Sequence, residues 1–251
     1  MRAVKTLLIG LIATLVLAAG SPAVAKSPVV VELFTSQGCS SCLDANSLIQ
    51  DLNDQAGVIG LTFAVDYWDY LGWSDSLAKP SFTERQKAYM RRLGAGQVYT
   101  PQVVVGGAAQ TAGTKRDKVD RLIASAKRRP QVSPRLSVGN SKRLSVGLGP
   151  VPKGGAEVWL ISYESEPQTT DVKHGENRGK SVTYGHAVRD LVRLGSWRGK
   201  AKTFALPKTE EDGLERLVLV QGKGGGRILA SLKLKHTAPA KPETAKILKT
   251  P

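Results

Sequence analysis

Cysteine is almost absent from this chain: there are two in 251 residues, Cys39 and Cys42. Methionine is as scarce, with Met90 the only one besides Met1, and the three histidines, His174, His186 and His236, all fall in the second half. A copper or zinc carrier that surrounds its cysteines with thioether or imidazole ligands is therefore poorly supplied, and a two-thiol Cu(I) site is the one form of metal carriage left open. Aromatic residues make up only 6% and are not interleaved with basic ones, which argues against a platform for single-stranded nucleic acid. Nucleotide-binding loops, metalloprotease motifs and a Ser-His-Asp signature are missing. Asp66 and Asp69 alone do not make a glycosidase pair, because nothing fixes their separation. No internal repeat is present, and beyond residue 25 no apolar run is long enough to cross a bilayer.

The segment before that point reads as an export signal. Arg2 and Lys5 open it, residues 7–19 are apolar, and Ala23-Val24-Ala25 is a small-residue cleavage site. Cleavage near Ala25 predicts a periplasmic or secreted protein, without stable membrane insertion, in a compartment where disulfides persist. The net charge of +15 becomes +13 without Arg2 and Lys5. Basic residues are spread along the chain, and Lys127-Arg128-Arg129 is their longest run. This pattern reads as a generally basic surface rather than a nucleic-acid site.

The two cysteines are the most informative residues. They form a C-x-x-C, Cys39-Ser40-Ser41-Cys42, after the strand-like residues 29–34 and before a helix-like run. A helix start stabilises a thiolate through its unpaired N–H groups and dipole, and the thiolate is the nucleophile of disulfide exchange. Cys39, expected to be exposed, is assigned as nucleophile and Cys42 as resolving thiol. A purely structural disulfide is the competing reading. Closing so short a loop constrains the unfolded chain by only roughly 2 kcal/mol, a weak staple for a domain of this size.

The flanking pattern predicts a mixed α/β domain over residues 26–130. Apolar residues Leu43, Leu48, Ile49 and Leu52 recur at helical spacing, Gly57 stops that helix, and residues 58–65 form a second buried strand. The result is a right-handed parallel β-α-β unit. Ser81-Phe82-Thr83-Glu84 reads as a capping box for a helix ended by Gly94. Residues 102–105 then form a strand, Gly106-Gly107 a two-residue hairpin turn, and residues 108–111 the return strand. Thr114 caps a helix that buries Val119, Leu122, Ile123 and Ala126. The order β-α-β, helical insertion, β-β-α is that of a thioredoxin-like domain.

Three further features complete the candidate site. Pro101 opens a strand where thioredoxin folds place a cis proline, so a cis Thr100-Pro101 bond beside the dithiol is expected, its missing N–H leaving neighbouring backbone free for substrate. Glu32, an acid in an apolar strand, is either an edge or solvent-reached residue or a buried acid relaying a proton to Cys42. The loop from Asp66 to Asp75 contains Trp68 and Trp73, which either rim the site or pack an inserted helix. With Thr100 and Gln37 they are the candidate substrate-contacting residues.

Residues 131–236 read as a small antiparallel β-sandwich of short strands separated by glycine-rich turns. Residues 187–194 fit either a strand or a helix. His174-Gly175-Glu176-Asn177-Arg178-Gly179 reads as an exposed polar loop, and nothing in this half carries recognisable catalysis. Residues 237–251, rich in Lys, Pro and Ala, read as a disordered tail.

Together, Val31-Glu32-Leu33-Phe34-Thr35-Ser36-Gln37-Gly38-Cys39-Ser40-Ser41-Cys42, the segment Val65-Asp66-Tyr67-Trp68-Asp69-Tyr70-Leu71-Gly72-Trp73, and Tyr99-Thr100-Pro101-Gln102 resemble a bacterial secreted thioredoxin-like family of unknown function, DUF1223. Gly175-Glu176-Asn177-Arg178-Gly179 and Leu194-Gly195-Ser196-Trp197-Arg198-Gly199 resemble that family's later motifs, so the likeness spans most of the chain. It implies a thioredoxin-like domain with a β-rich extension. Members usually carry Pro-Pro-Ala-Asp after the second cysteine, where this chain has Leu43-Asp44-Ala45-Asn46. That departure alters local charge and with it the redox potential. The leading expectation is a thiol–disulfide oxidoreductase acting on protein or small-molecule thiols and disulfides, with no cofactor. Its rivals are a binding module with a passive disulfide and a Cu(I) metallochaperone.

Overall fold

Residues 29–34 are apolar but for one acid, and they lie in the strand that the rest of the first half is built around. The computed structural model describes residues 27–130, 133–139, 143–208 and 213–234; the leader and tail expected from sequence lie outside them. Strand β1 (Val29–Thr35) pairs in parallel with β2 (Val58–Ala64) and antiparallel with β3 (Gln102–Val105), which carries β4 (Ala109–Ala112) on its outer side. Helix α1 (Leu43–Asn53) joins β1 to β2, α2 (Pro80–Leu93) joins β2 to β3, and α3 (Arg116–Arg128) follows β4.

Alternation along β1 divides its side chains between two cores. Val29, Val31 and Leu33 pack with Leu48, Ile49 and Leu52 of α1 and Val119 and Ile123 of α3, with Leu122 and Ala126 partly buried beside them. Val30 and Phe34 point the other way, onto Phe82 and Tyr89 of α2.

Local chemistry differs from the sequence reading at three places. Helix α2 begins at Pro80 rather than at a capping box on Ser81, and Lys79 precedes it without a side-chain cap. The fixed φ of proline suits the first helical position, and Thr83 instead donates to Asp66 Oδ1 at 2.6 Å. Helix α3 starts at Arg116 after Lys115, not behind a Thr114 cap. In the β3–β4 hairpin Gly106 and Gly107 have φ of +59° and +61°, as a type I′ turn requires, but Val105 pairs with Ala109, so Ala108 joins the loop.

The second half is entirely β among the described residues: β5 (Leu136–Val138), β6 (Arg143–Val146), β7 (Ala156–Tyr163), β8 (Gln168–Asp171), β9 (Ser181–Tyr184), β10 (Val188–Trp197), β11 (Lys202–Ala205), β12 (Glu215–Gly222) and β13 (Ile228–Lys233). A four-stranded sheet, β10-β7-β12-β13, faces a three-stranded one, β11-β6-β5, across Leu144, Val158, Leu160, Trp197, Val218 and Val220. Of the ambiguous residues 187–194, all but Ala187 lie in β10, where register shifts at Val188/Asp190 and Arg193/Gly195 break the two-residue period that would have identified a strand.

The boundary near residue 130 separates element types but not cores. The outer face of the four-stranded sheet, through Ile161, Tyr163, Leu217 and Leu219, joins the same cluster as Phe34, Phe63, Phe82 and Tyr89. The β2 edge is closed as well: Thr62 N–H donates to His186 O at 3.1 Å and Thr62 Oγ1 to Gly185 O at 2.6 Å. From there the β8–β9 hairpin lies beside α1, and Val172, Val182 and Tyr184 pack with Leu43 and Trp73. Residues 172–180 thereby arrive at the start of α1.

Candidate functional site

After β1 the chain turns at Ser36, where Ser36 O accepts from Cys39 N–H at 3.2 Å. Cys39 is extended, with φ −96° and ψ 112°, and the following 3-10 turn (Ser40–Cys42) leads straight into α1. Cys39 and Cys42 are joined by a disulfide with their Cα atoms 5.4 Å apart. Ser40 and Ser41 are exposed. The sulfur-bearing residues are not: Cys39 and Cys42 are both 0% accessible. This corrects the expectation of an exposed Cys39; a loop of the second half lies against the same stretch of backbone.

Asn177, itself 0% exposed, donates from Nδ2 to Gln37 O at 2.9 Å and to Cys39 O at 3.0 Å. Its neighbour Glu176 accepts from Ser40 N–H at 3.2 Å and from Ser40 Oγ at 2.7 Å. Those two hydrogen bonds hold the Glu176 carboxyl below its usual range. Gly175, at φ +75°, lies beside Trp73 and Leu71. The loop is exposed, as read from sequence, except at Asn177, and through Asn177 and Glu176 it is pinned to the backbone on both sides of Gly38 and at Ser40. The sequence held one signal of this: a lone amide flanked by Gly175 and Gly179, both with positive φ, is what a tight loop needs to turn a side chain inward.

The candidate rim residues are brought together, but largely satisfy one another. Gln37 is buried, donates its N–H to Asp75 Oδ2 at 2.8 Å and accepts from Trp73 Nε1 at 2.9 Å. Trp68 Nε1 donates to Thr100 Oγ1 at 2.8 Å, and its Cβ stands 3.6 Å from where a β-carbon on Gly38 would be. Both indoles are partly buried, in agreement with packing. Thr100-Pro101 is cis. Pro101 sits against the first turn of α1: a β-carbon on Gly113 would lie 2.9 Å from Ala45 Cβ and 3.1 Å from Pro101 Cβ.

Glu32 belongs elsewhere. It is 0% exposed on a central strand, so neither an edge position nor a solvent-reached face describes it. Its Oε1 accepts from Arg85 Nε at 2.7 Å and its Oε2 from the Tyr89 hydroxyl. Arg85 Nη2 also reaches Tyr89 Oη at 3.0 Å and Gln221 Oε1 at 3.1 Å. Burial works against the guanidinium charge, but Glu32 and Tyr89 outweigh it and the Arg85 pKa moves up. Of the two readings the buried acid is the one found, with both carboxylate oxygens engaged by α2 side chains in an ion pair with Arg85 and a hydrogen bond from Tyr89.

Asp75 is a second buried acid, tied to the backbone of Gln37 two residues before Cys39, and the sequence reading missed it. Its carboxylate accepts from the N–H groups of Gln37 and Leu77 and from Tyr184 Oη, the last at 2.8 Å. Burial pushes its pKa up, against the pull of those hydrogen bonds, and Asp69 adds to the rise. A folded-state pKa above the unfolded value means that Asp75 favours folding most below the ordinary carboxylate range of about 3.9, and that this contribution is lost as pH rises through the folded pKa. Urea midpoints measured over that window should therefore fall with rising pH more steeply in the wild type than in Asp75→Asn, which keeps an acceptor oxygen but no charge. Among the described residues no three His, Cys, Asp or Glu side chains gather as a metal site would require.

The profile of a family described as "Protein of unknown function (DUF1223)" matches residues 30–221. Protein AGR_C_4864 of Agrobacterium tumefaciens, known from its crystal structure, is 32% identical over 87% of this chain and 99% of its own, with a TM-score of 0.67. HBP35 of Porphyromonas gingivalis resembles the fold at 15% identity and a TM-score of 0.52, over 90% of this chain and 80% of its own. No protein curated for function matches. The matched span runs from β1 through the C-x-x-C and its covering loop into β12, and the chain belongs to the DUF1223 family.

Proposed function

We propose that the protein is a thiol–disulfide oxidoreductase with a thioredoxin-like first half, acting outside the cytoplasm on protein or small-molecule partners. The observation that carries this reading is the Cys39–Cys42 disulfide between the end of β1 and the start of α1. The β-α-β, α, β-β-α order and the cis Thr100-Pro101 bond beside α1 support it. The export-signal pattern of residues 1–25 supports the compartment.

In the reduced protein, Cys39 thiolate attacks one sulfur of a partner disulfide. A new S–S bond forms while the partner's bond breaks, and its other sulfur leaves as a thiolate that takes up a proton. Cys42 thiolate then attacks Cys39 Sγ, restores the Cys39–Cys42 bond and releases the partner as a dithiol, so two electrons have passed to it. The reverse sequence oxidises a partner.

Trapping tests the assignment. Cys42→Ser should accumulate mixed disulfides through Cys39 with oxidised glutathione or an unfolded disulfide protein, and Cys39→Ser should accumulate none through Cys42. A reduction potential below about −300 mV with no trapped species in Cys42→Ser would leave a passive structural bridge instead.

A further inference from the structure

We infer that Glu176 and Asn177 are positioning residues of the dithiol: a latch from the second half that shields the Cys39–Cys42 bond and holds back the Cys39 thiolate. The inference rests on the exchange chemistry proposed above, but its geometry stands alone. Both cysteines are 0% accessible although the serines between them are exposed. Asn177 is the one residue of the loop segment 173–180 that is buried, and its amide grips the two carbonyls, Gln37 O and Cys39 O, on either side of Gly38. With both cysteines at 0% exposure, a partner disulfide reaches a sulfur only after the surrounding loops part, and the Asn177 amide is the contact that ties this loop to the cysteine backbone.

Glu176 adds an electrostatic restraint to the steric one. A thiolate formed at Cys39 would draw on the partial positive charge where the backbone enters α1. Here the carboxylate of Glu176 already occupies that position, bonded to Ser40 N–H and Ser40 Oγ. The Cys39 sulfur has the Ser41 hydroxyl as its partner at 3.5 Å, and with the Ser40 donors taken by Glu176 a second negative charge there is repelled, so the thiol form of Cys39 is favoured. Nearby charged groups do not cancel this: Asp44, in the first turn of α1, has the same sign, and Lys180 approaches Asn177 Oδ1 at 3.5 Å rather than the cysteine. The exposed positions of Lys173 and Arg178 leave their charges in solvent, where screening weakens them. The loop is anchored for the task, since Val172 packs with Tyr184 and Ala64, Gly179 N–H donates to Val172 O at 2.8 Å, and Gly175 seats against Trp73.

Two measurements test the latch. In reduced Cys42→Ser protein, the pH profile of iodoacetamide alkylation gives the Cys39 thiol pKa. Adding Glu176→Gln should lower it by about half a unit, roughly a threefold gain in thiolate at neutral pH, as expected for an exposed charge at a helix start. That difference should shrink in about 1 M salt, which a merely structural role would not produce. Separately, Asn177→Ala with both cysteines intact should be reduced by dithiothreitol about tenfold faster than wild type, a free-energy change of the size of one lost hydrogen bond. Near-ultraviolet circular dichroism establishes that each variant is folded, and Glu176→Gln, altered at an exposed position, keeps the test available if Asn177→Ala is not. An unchanged thiol pKa in Glu176→Gln, or a shift undiminished by salt, overturns the electrostatic part. A wild-type reduction rate in folded Asn177→Ala overturns the shield. Loss of partner trapping alone would remove the exchange reaction and leave both results standing.

Discussion

Replacing Arg85 with methionine should destabilise the protein by about 3–5 kcal/mol, the range for breaking a buried ion pair from one side. The Glu32 and Arg85 side chains are 0% and 5% exposed, and the guanidinium also lies within 6 Å of the Phe63, Tyr89 and Trp159 ring centroids. Arg85→Met leaves the Glu32 carboxylate in that apolar setting without its cation. Urea unfolding should show a lower midpoint with an unchanged slope. The double variant Glu32→Leu/Arg85→Met should recover part of the loss, since removing both charges removes the desolvation penalty as well. A single variant with wild-type stability would mean that the pair is not what ties α2 to β1.

Gly107→Ala carries the second large effect, at roughly 2–5 kcal/mol. Two costs combine there. A φ of +61° disfavours any β-carbon by about 1–2 kcal/mol, and that carbon would stand 2.4 Å from Gly226 O, a backbone atom that cannot swing aside. Overpacking of this kind adds about 1–3 kcal/mol. Gly106→Ala is the internal control: its φ of +59° is nearly the same, but no atom lies within 4 Å of the new carbon. It should lose only the conformational part. Equal losses in the two variants would show that the contact between the β3–β4 turn and the loop before β13 yields easily.

The helices and buried strands of the first half were legible because each carries its own signal. The run over residues 29–34, the helical spacing of Leu48, Ile49 and Leu52, and the paired glycines of the hairpin each reflect a constraint that acts within a few residues. The cis Thr100-Pro101 bond was legible only through its position in the order of elements. β5 and β8 carry little signal of their own, because they are short and neither has a fully buried residue. Asn177 and Asp75 escaped for a different reason. Asn177 reaches Gln37 and Cys39, separated from it by 140 and 138 residues, and Asp75 reaches Tyr184 across 109. A buried polar side chain satisfied from so far away looks, in sequence, like any loop residue. Glu32 was the intermediate case: its oddity was visible, but its partner Arg85 sits 53 residues on, in a helix whose buried face also carries Thr83 and Gln86, so nothing local singles Arg85 out.

The common core of the two halves also bears on how the chain is made. A ribosome delivers residues 27–130 first, complete with every strand of the first sheet. At that moment Phe34, Phe63, Phe82 and Tyr89 face water, because Ile161, Tyr163, Leu217 and Leu219 have yet to be translated. The outer rail of β2 is open as well, since the carbonyls of Gly185 and His186 that receive Thr62 are still unmade. An unpaired strand beside a bare aromatic surface is the combination that recruits other nascent chains. Only β12 completes the seal over the early sheet, so a chain cut short of it would leave that aromatic face uncovered.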